Sequence, residues 1–472
     1  MKHARLVPLI VAVALFMENM DSTVIATSLP AIAADIGANP LTLKLAVTSY
    51  LLSLAVFIPI SGWTADRFGT RTVFRAAIAV FVLGSIACAL SGSLAQFVGA
   101  RIVQGMGGAM MTPVGRLVLV RSVDRRELVN AMAWVSIPAM IGPLLGPPLG
   151  GFITTYATWH WIFLINVPMG LLGIVLVTRY IEDVRAEKRE SFDFAGMVLS
   201  GTGVAGLTFG LSIAGFDLVP WPIVVAIITI GAIAMAAYLA YARRRSSPIL
   251  DFSLLTLPTF RASLIGGFMF RIGVGAMPFL LPLLLQIGFK LTPFRSGLIT
   301  FTSTMGAIFM KAAASTLLKQ FGFRNVLTFN AILSALFIAA CALFSDTTPL
   351  AVMVAVLLVG GFFRSLQFTS VNALAYAEVP LERMSRATSL ASVGQQVSLA
   401  CGVAIGALTV ETVLRFKGQA GITAADFPPA FLVVATIAGL SALLFAQLPA
   451  NAGEDMAARA SAPANTSSQG MG

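Results

Sequence analysis

The chain has 472 residues, is 57% hydrophobic and only 11% charged, and carries a formal net charge of +11. Its mean hydropathy is +0.89, whereas soluble domains carry roughly 25% charged residues. A soluble enzyme or nucleic-acid-binding protein is therefore excluded, and the pattern predicts an all-α membrane protein.

Apolar runs separated by charged or Gly/Pro-rich breaks predict fourteen spanning helices. They lie at about 6–28, 44–64, 74–92, 95–120, 129–155, 161–180, 194–214, 221–242, 259–288, 295–318, 325–344, 349–376, 386–412 and 428–448. The first run follows Lys2, His3 and Arg5 and resembles a signal peptide. It is too long before Ala31-Ile32-Ala33, however, and carries Glu18 and Asp21, so an uncleaved spanner is expected. With both termini cytoplasmic, 21 of the 31 Lys and Arg residues fall inside. The inside set includes Arg67, Arg71, Arg75, Arg121, Arg125, Arg126 and the run Arg243-Arg244-Arg245. Lys44, Lys290, Arg295, Arg415 and Lys417 fall outside. The positive charge is thus loop bias rather than a nucleic-acid surface.

The loop after the second spanner reads Gly62-Trp63-Thr64-Ala65-Asp66-Arg67-Phe68-Gly69-Thr70-Arg71, and Phe321-Gly322-Phe323-Arg324 repeats its F-G-x-R after the tenth. A repeated inner loop between parallel halves is a transporter signature. Physically, Asp66 is expected to cap the next helix or pair with an Arg across the bundle interface, and Gly69 to permit a turn. Spanner four carries Arg101-Ile102-Val103-Gln104-Gly105, and spanner five carries Gly142-Pro143-Leu144-Leu145-Gly146-Pro147-Pro148-Leu149-Gly150-Gly151. Small residues four apart let helix backbones approach, so packing alone accounts for such a run. Gly201-Thr202-Gly203-Val204-Ala205-Gly206 spells GxGxxG inside an apolar spanner, without the strand a nucleotide fold requires, and is expected to be helix packing. Cys88, Cys341 and Cys401 lie far apart in apolar segments, and His3 and His160 have no Ser or Cys partner at catalytic spacing. No metal, cofactor or enzymatic centre is expected.

These stretches resemble the major facilitator superfamily. Gly62, Asp66, Arg67, Gly69 and Arg71 match its inner-gate loop, with Thr64 in place of Leu. Arg101 and Gln104 match its R-x-x-Q-G helix-four signature. Gly142, Gly146, Pro147, Gly150 and Gly151 match its antiporter helix-five motif. Met20-Asp21-Ser22-Thr23-Val24-Ile25-Ala26-Thr27-Ser28-Leu29-Pro30 resembles the first-helix motif of the EmrB/QacA-type fourteen-spanner drug:proton antiporters, departing at Ala26 and Ser28. The resemblance covers essentially the whole chain. It implies a major facilitator fold: an N-terminal six-helix bundle over 1–182, two inserted helices over 183–245, and a C-terminal bundle over 246–450. The tail from 451 to 472 is Ala/Ser/Asn-rich and expected to be disordered.

Intramembrane charges default to function. At about 1.5 Å per residue, Asp21 and Arg101 lie at nearly one depth, and Glu18 sits one turn from Asp21. In the superfamily fold the first and fourth helices of each half line a central cavity. Asp21, Glu18 and Arg101 are therefore expected to face it and couple a proton, with Arg271, Arg364, Lys311, Gln104 and Gln286 forming the substrate cavity. The bland alternative is a structural Asp21–Arg101 pair. The implied function is proton-coupled export of small molecules by alternating access, of the multidrug-efflux type, from the cytoplasmic membrane of a bacterium. The excess of Arg and Lys supports an alternative, export of an organic anion such as citrate or its metal complex. A non-transporting sensor would be expected to lose the gate and proton residues, and an importer to lack the helix-five run. The expected partners are a small-molecule substrate and the lipid bilayer, with H+ as coupling ion. Some members of the group use a periplasmic adaptor, and this chain has no adaptor-like segment of its own.

Overall fold

The structure is a computed structural model describing residues 6–122, 128–184, 193–214, 219–245, 248–380, 383–418 and 421–453, without the side chains of 128–140, 311, 312 and 315. Arg125, Arg126, the expected disordered tail beyond 453 and the Lys311 side chain lie outside the described residues. All regular structure among the described residues is helical. In chain order the helices are α1 Leu6–Val24, α2 Leu29–Asp35, α3 Lys44–Phe57, α4 Ser61–Phe68, α5 Thr70–Ala89, α6 Leu94–Ser122, α7 Leu128–Tyr156, α8 Trp161–Leu164 and α9 Asn166–Tyr180. There follow α10 Phe194–Ile213, α11 Trp221–Ala242, α12 Pro258–Leu283, α13 Pro293–Ala340, α14 Leu350–Leu374, α15 Met384–Lys417 and α16 Pro428–Ala446.

Every expected spanner falls on helix, and eleven described segments are long and apolar enough to cross a membrane. The α6 helix is not among them, because Arg101, Gln104, Arg116 and several glycines dilute its hydropathy. Prolines and glycines set the breaks. Pro30 lies at the start of α2, and its fixed φ and missing N–H suit that position after the tight turn Ile25–Thr27. Gly69 has φ +97° between α4 and α5, and Gly322 has φ +72° within α13, kinking it into two helices. Both repeats of F-G-x-R thus turn on a glycine in the conformation that other residues avoid.

Contacts divide the helices into two groups. In the first, α1 packs on α6, α7 and α9, and α5 packs on α6 and α9. In the second, α12 packs on α15 and α16, and α13 packs on α14 and α16. The groups meet along α7 with α13 and α3 with α15. The α10–α11 hairpin is the third piece. Gly206 makes its crossing close, since a Cβ there would sit 2.7 Å from the Gly231 Cα. The GxGxxG run is therefore helix packing. Helix α10 also touches both α3 and α15, so the hairpin flanks the seam between the groups.

Candidate functional site

A cavity of about 960 Å³ lies between the two groups at the end carrying Asp66 and Arg67. Its first wall comes from α1 (Glu18, Asn19), the α3–α4 segment (Gly62, Trp63, Asp66, Arg67) and α6 (Gly108, Thr112, Arg116). Its second wall comes from α14 and the turn beyond it (Phe368, Asn372, Tyr376) and from α15 (Ser389, Ser392, Gln395, Gln396 and neighbours). The opposite end is shut. There Val24, Ile25 and Leu29 join Phe279, Leu281 and Leu284 in one buried cluster, and Gln286 Nε2 donates to Thr27 O at 2.8 Å.

Glu18 is the acid at depth in this cavity, and its Oε2 accepts from the Thr112 hydroxyl at 2.5 Å. Asp21, one turn on, is absent from the lining and fully buried. Arg101 Nη1 donates to its Oδ2 at 2.8 Å, while Gln104 Nε2 and Asn166 Nδ2 donate to its Oδ1 at 2.8 and 2.7 Å. The same two amides contact the Ser85 hydroxyl, and the Arg101 guanidinium lies 4.1 Å from the Tyr50 ring centre. Helices α1, α3, α5, α6 and α9 are thus joined behind the wall. A carboxylate with three donors, one of them charged, is fixed in place.

The placement differs from the sequence expectation in several respects. Asp21 and Arg101 meet, but sealed from the cavity rather than facing it. Gln104 belongs to that sealed cluster, and Gln286 belongs to the closed end. Arg271 is 4% exposed, and its Nη2 donates to Asn372 Oδ1 at 2.8 Å, so it stands behind the wall. Arg364 turns toward α13 and donates to Ser303 Oγ at 2.8 Å. Asp66 neither caps α5 nor crosses to the other group. It pairs with Arg121 of α6 at 2.6 Å, and the α5 end instead receives Asp183, whose Oδ1 accepts from Thr72 N at 3.3 Å. A Cβ on Gly69 would collide with the Asp183 carboxylate, so glycine is needed there for space as well as φ. Gly62 and Arg67 line the cavity mouth, and Arg71 is half-buried on α5.

The helix-five glycines sit against backbone. A Cβ at Gly142 would come 2.9 Å from Met20 N, and Cβ atoms at Gly146 and Gly150 would strike Thr23 and the Val24 carbonyl. Gly151 faces the Pro293 carbonyl, and Pro147 lends its own carbonyl to Thr27 Oγ1 at 3.3 Å. The run therefore welds α7 to α1 and brings it against α13. Sequence reasoning missed Thr112, Arg116, Tyr50, Asn166 and Ser85. Thr112 and Arg116 are four apart on α6 and share a face, a signal that was available.

Comparisons agree with this architecture. The family profile described as Major Facilitator Superfamily matches residues 11–260 and 263–468. The MdtD protein of Salmonella typhi, which carries a multidrug resistance name, is 39% identical over 459 residues, covering 95% of each chain. MdtD of Salmonella newport has the same identity and coverage, 39% and 95%. Among solved structures, a D-xylose-proton symporter aligns with TM-score 0.67 at 14% identity, over 94% of this chain and 98% of that one. The inward-open xylose transporter XylE from E. coli gives 0.62 at 14%, over 96% and 99%. The distant structures speak for the fold alone. The two-group helical architecture, the paired glycine turns and the whole-chain match have one reading: this chain belongs to the major facilitator superfamily.

Proposed function

We propose that this chain is a proton-coupled exporter of small molecules, spanning a bacterial cytoplasmic membrane fourteen times with both termini inside. On this reading the conformation described above is the one open to the cytoplasm. The observation that carries the reading is Glu18, a carboxylate lining the cavity whose one hydrogen-bond partner among the described residues is the neutral Thr112, with the Arg116 charge acting on it from the same face of α6. An acid so placed meets both water and cargo, so its proton exchanges as the cavity opens to one side or the other. In this conformation Asp21 is locked beside it by Arg101, Gln104 and Asn166. Alternating access follows from rocking of the two groups about α3–α15 and α7–α13. The multidrug name of the relatives supports efflux.

A second reading of the cargo has its own observation. Arg116 and Arg67 line the first wall, and the second wall carries no carboxylate among the described lining residues. Hydroxyls and amides fill it instead, which favours an organic anion such as citrate or its metal complex. Proteoliposomes with a pH dye inside and an acidic lumen test both readings. Ethidium, citrate, or citrate with iron is added to wild type and to Glu18→Gln. Lumenal alkalinisation by one probe in wild type, reduced at least tenfold in Glu18→Gln, is expected. An unchanged rate in the variant would remove Glu18 from coupling. No alkalinisation with any probe would sink the proton-coupled reading of these cargoes.

A further inference from the structure

Tyr50 is 1% exposed, and its hydroxyl is buried without a hydrogen-bond partner. Buried hydroxyls rarely remain unpaired, because the lost hydration is not repaid. The position of this one is informative. It lies on α3, and both Glu18 and Asp21 are among the charges that act on it. A Cβ built on Gly108 would sit 3.0 Å from the Tyr50 hydroxyl and 3.7 Å from Glu18 Cγ, so the two groups flank one point on α6. The absence of a side chain at Gly108 leaves the gap between them open. On its other side, the Tyr50 ring lies under the Arg101 guanidinium that holds Asp21. The charged groups acting on the phenol are Glu18 and Asp21 from α1 and Arg101 from α6. Helix α10, also packed on α3, carries no charge. The charges of α15 lie near its ends, where Glu411 acts on Lys44 and Arg386 meets Asp251.

We propose that Tyr50 is a proton relay between Glu18 and the sealed Asp21 cluster. This assignment rests on the proton-coupled reading above. In the present conformation the relay is open, since Glu18 is engaged by Thr112 and the phenol bonds to neither side. When the cavity closes and Glu18 leaves Thr112, its proton passes to Tyr50 Oη as the phenol's own proton passes to Asp21. The phenol ends neutral, one proton has moved inward from the cavity wall, and Asp21 loosens its hold on Arg101.

Tyr50→Phe removes the hydroxyl and keeps the ring under Arg101. Wild type and Tyr50→Phe are compared in proteoliposomes with ethidium and with citrate, together with probe counterflow at equal pH and melting temperature. The expected result is alkalinisation slowed at least tenfold, counterflow within twofold, and a melting temperature no lower than wild type. Alkalinisation at the wild-type rate, or counterflow falling as far as alkalinisation, would overturn the relay. If wild type itself moves no proton with either probe, the transport reading fails separately. The relay is then decided without cargo, by proton release after an acid-to-neutral pH jump. Tyr50→Phe slows that release tenfold if the relay exists and leaves it unchanged if it does not.

Discussion

Glu18 and Asp21 are three residues apart on one helix and have opposite surroundings. One meets the cavity and a threonine, and the other is fully buried among a guanidinium and two amides. The consequences of mutation separate them. Glu18→Gln leaves a neutral partner for Thr112, so the melting temperature should change little while ΔpH-driven transport falls at least tenfold. Arg101→Ala strands a buried carboxylate, and breaking such a pair typically costs about 3–5 kcal/mol. A large loss of thermal stability in detergent is expected, and a melting temperature near wild type would show that water reaches Asp21. Asp21→Asn also acts on stability, because its amide nitrogen would face donors from Arg101, Gln104 or Asn166. Loss of transport in that variant is therefore a weaker indicator of proton coupling than in Glu18→Gln.

At the scale of helices, the stretch between α11 and α12 binds the inserted hairpin to the second group. The Tyr238 hydroxyl donates to Leu250 O at 2.9 Å and accepts from Leu250 N at 2.6 Å. One residue on, Asp251 pairs with Arg383 at 2.7 Å and Arg386 at 3.7 Å at the head of α15. Toward α3 the hairpin presents apolar contacts, such as Gly201 beside Val56 and Ile213 in one cluster with Leu45. The hairpin is thus expected to move with the second group and slide over α3. A disulfide between cysteines at Val56 and Gly201 should slow transport, whereas one between α11 and the 248–257 stretch should not. Equal effects would refute the idea.

Asp251 also gives a pH dependence. Burial alone would raise its pKa, but hydrogen bonds from Ser253 and Arg383 outweigh that and hold it below the ordinary value of 3.8. A depressed folded-state pKa stabilises above the unfolded value, and the contribution fades as pH falls through the folded one. Asp251→Asn should therefore lower the melting temperature at neutral pH, with the gap to wild type closing in acid below the ordinary carboxylate range. A gap independent of pH would contradict this.

For the whole molecule, closure of one end depends on backbone meeting backbone. A Cβ at Gly297 would strike the Pro147 carbonyl, and one at Gly151 the Pro293 carbonyl. Gly297→Val should therefore wedge α7 from α13 at the closed end, and overpacking of this kind costs about 1–3 kcal/mol. The population should shift toward opening there, so a cysteine at Thr388 on the cavity wall should be labelled more slowly from the Arg67 end. Unchanged labelling would mean that the end closes through its apolar cluster alone.

Membrane class, helix positions, both glycine turns and the close-packed helix-five run could be read from the sequence. Each depends on composition, on periodicity, or on a glycine whose φ is a local matter. The common depth of Asp21 and Arg101 could be read as well, because helical rise converts residue count directly into depth. What only the tertiary structure decided is the azimuth of each helix. A helical wheel separates Glu18 from Asp21 by an angle but does not say which of them meets the cavity. Nor does it say that Arg271 and Gln104 stand behind the wall, or that Asp66 finds Arg121 and leaves the α5 end to Asp183. Those outcomes depend on how several helices rotate against one another to satisfy every buried polar group at once, a condition no single segment contains.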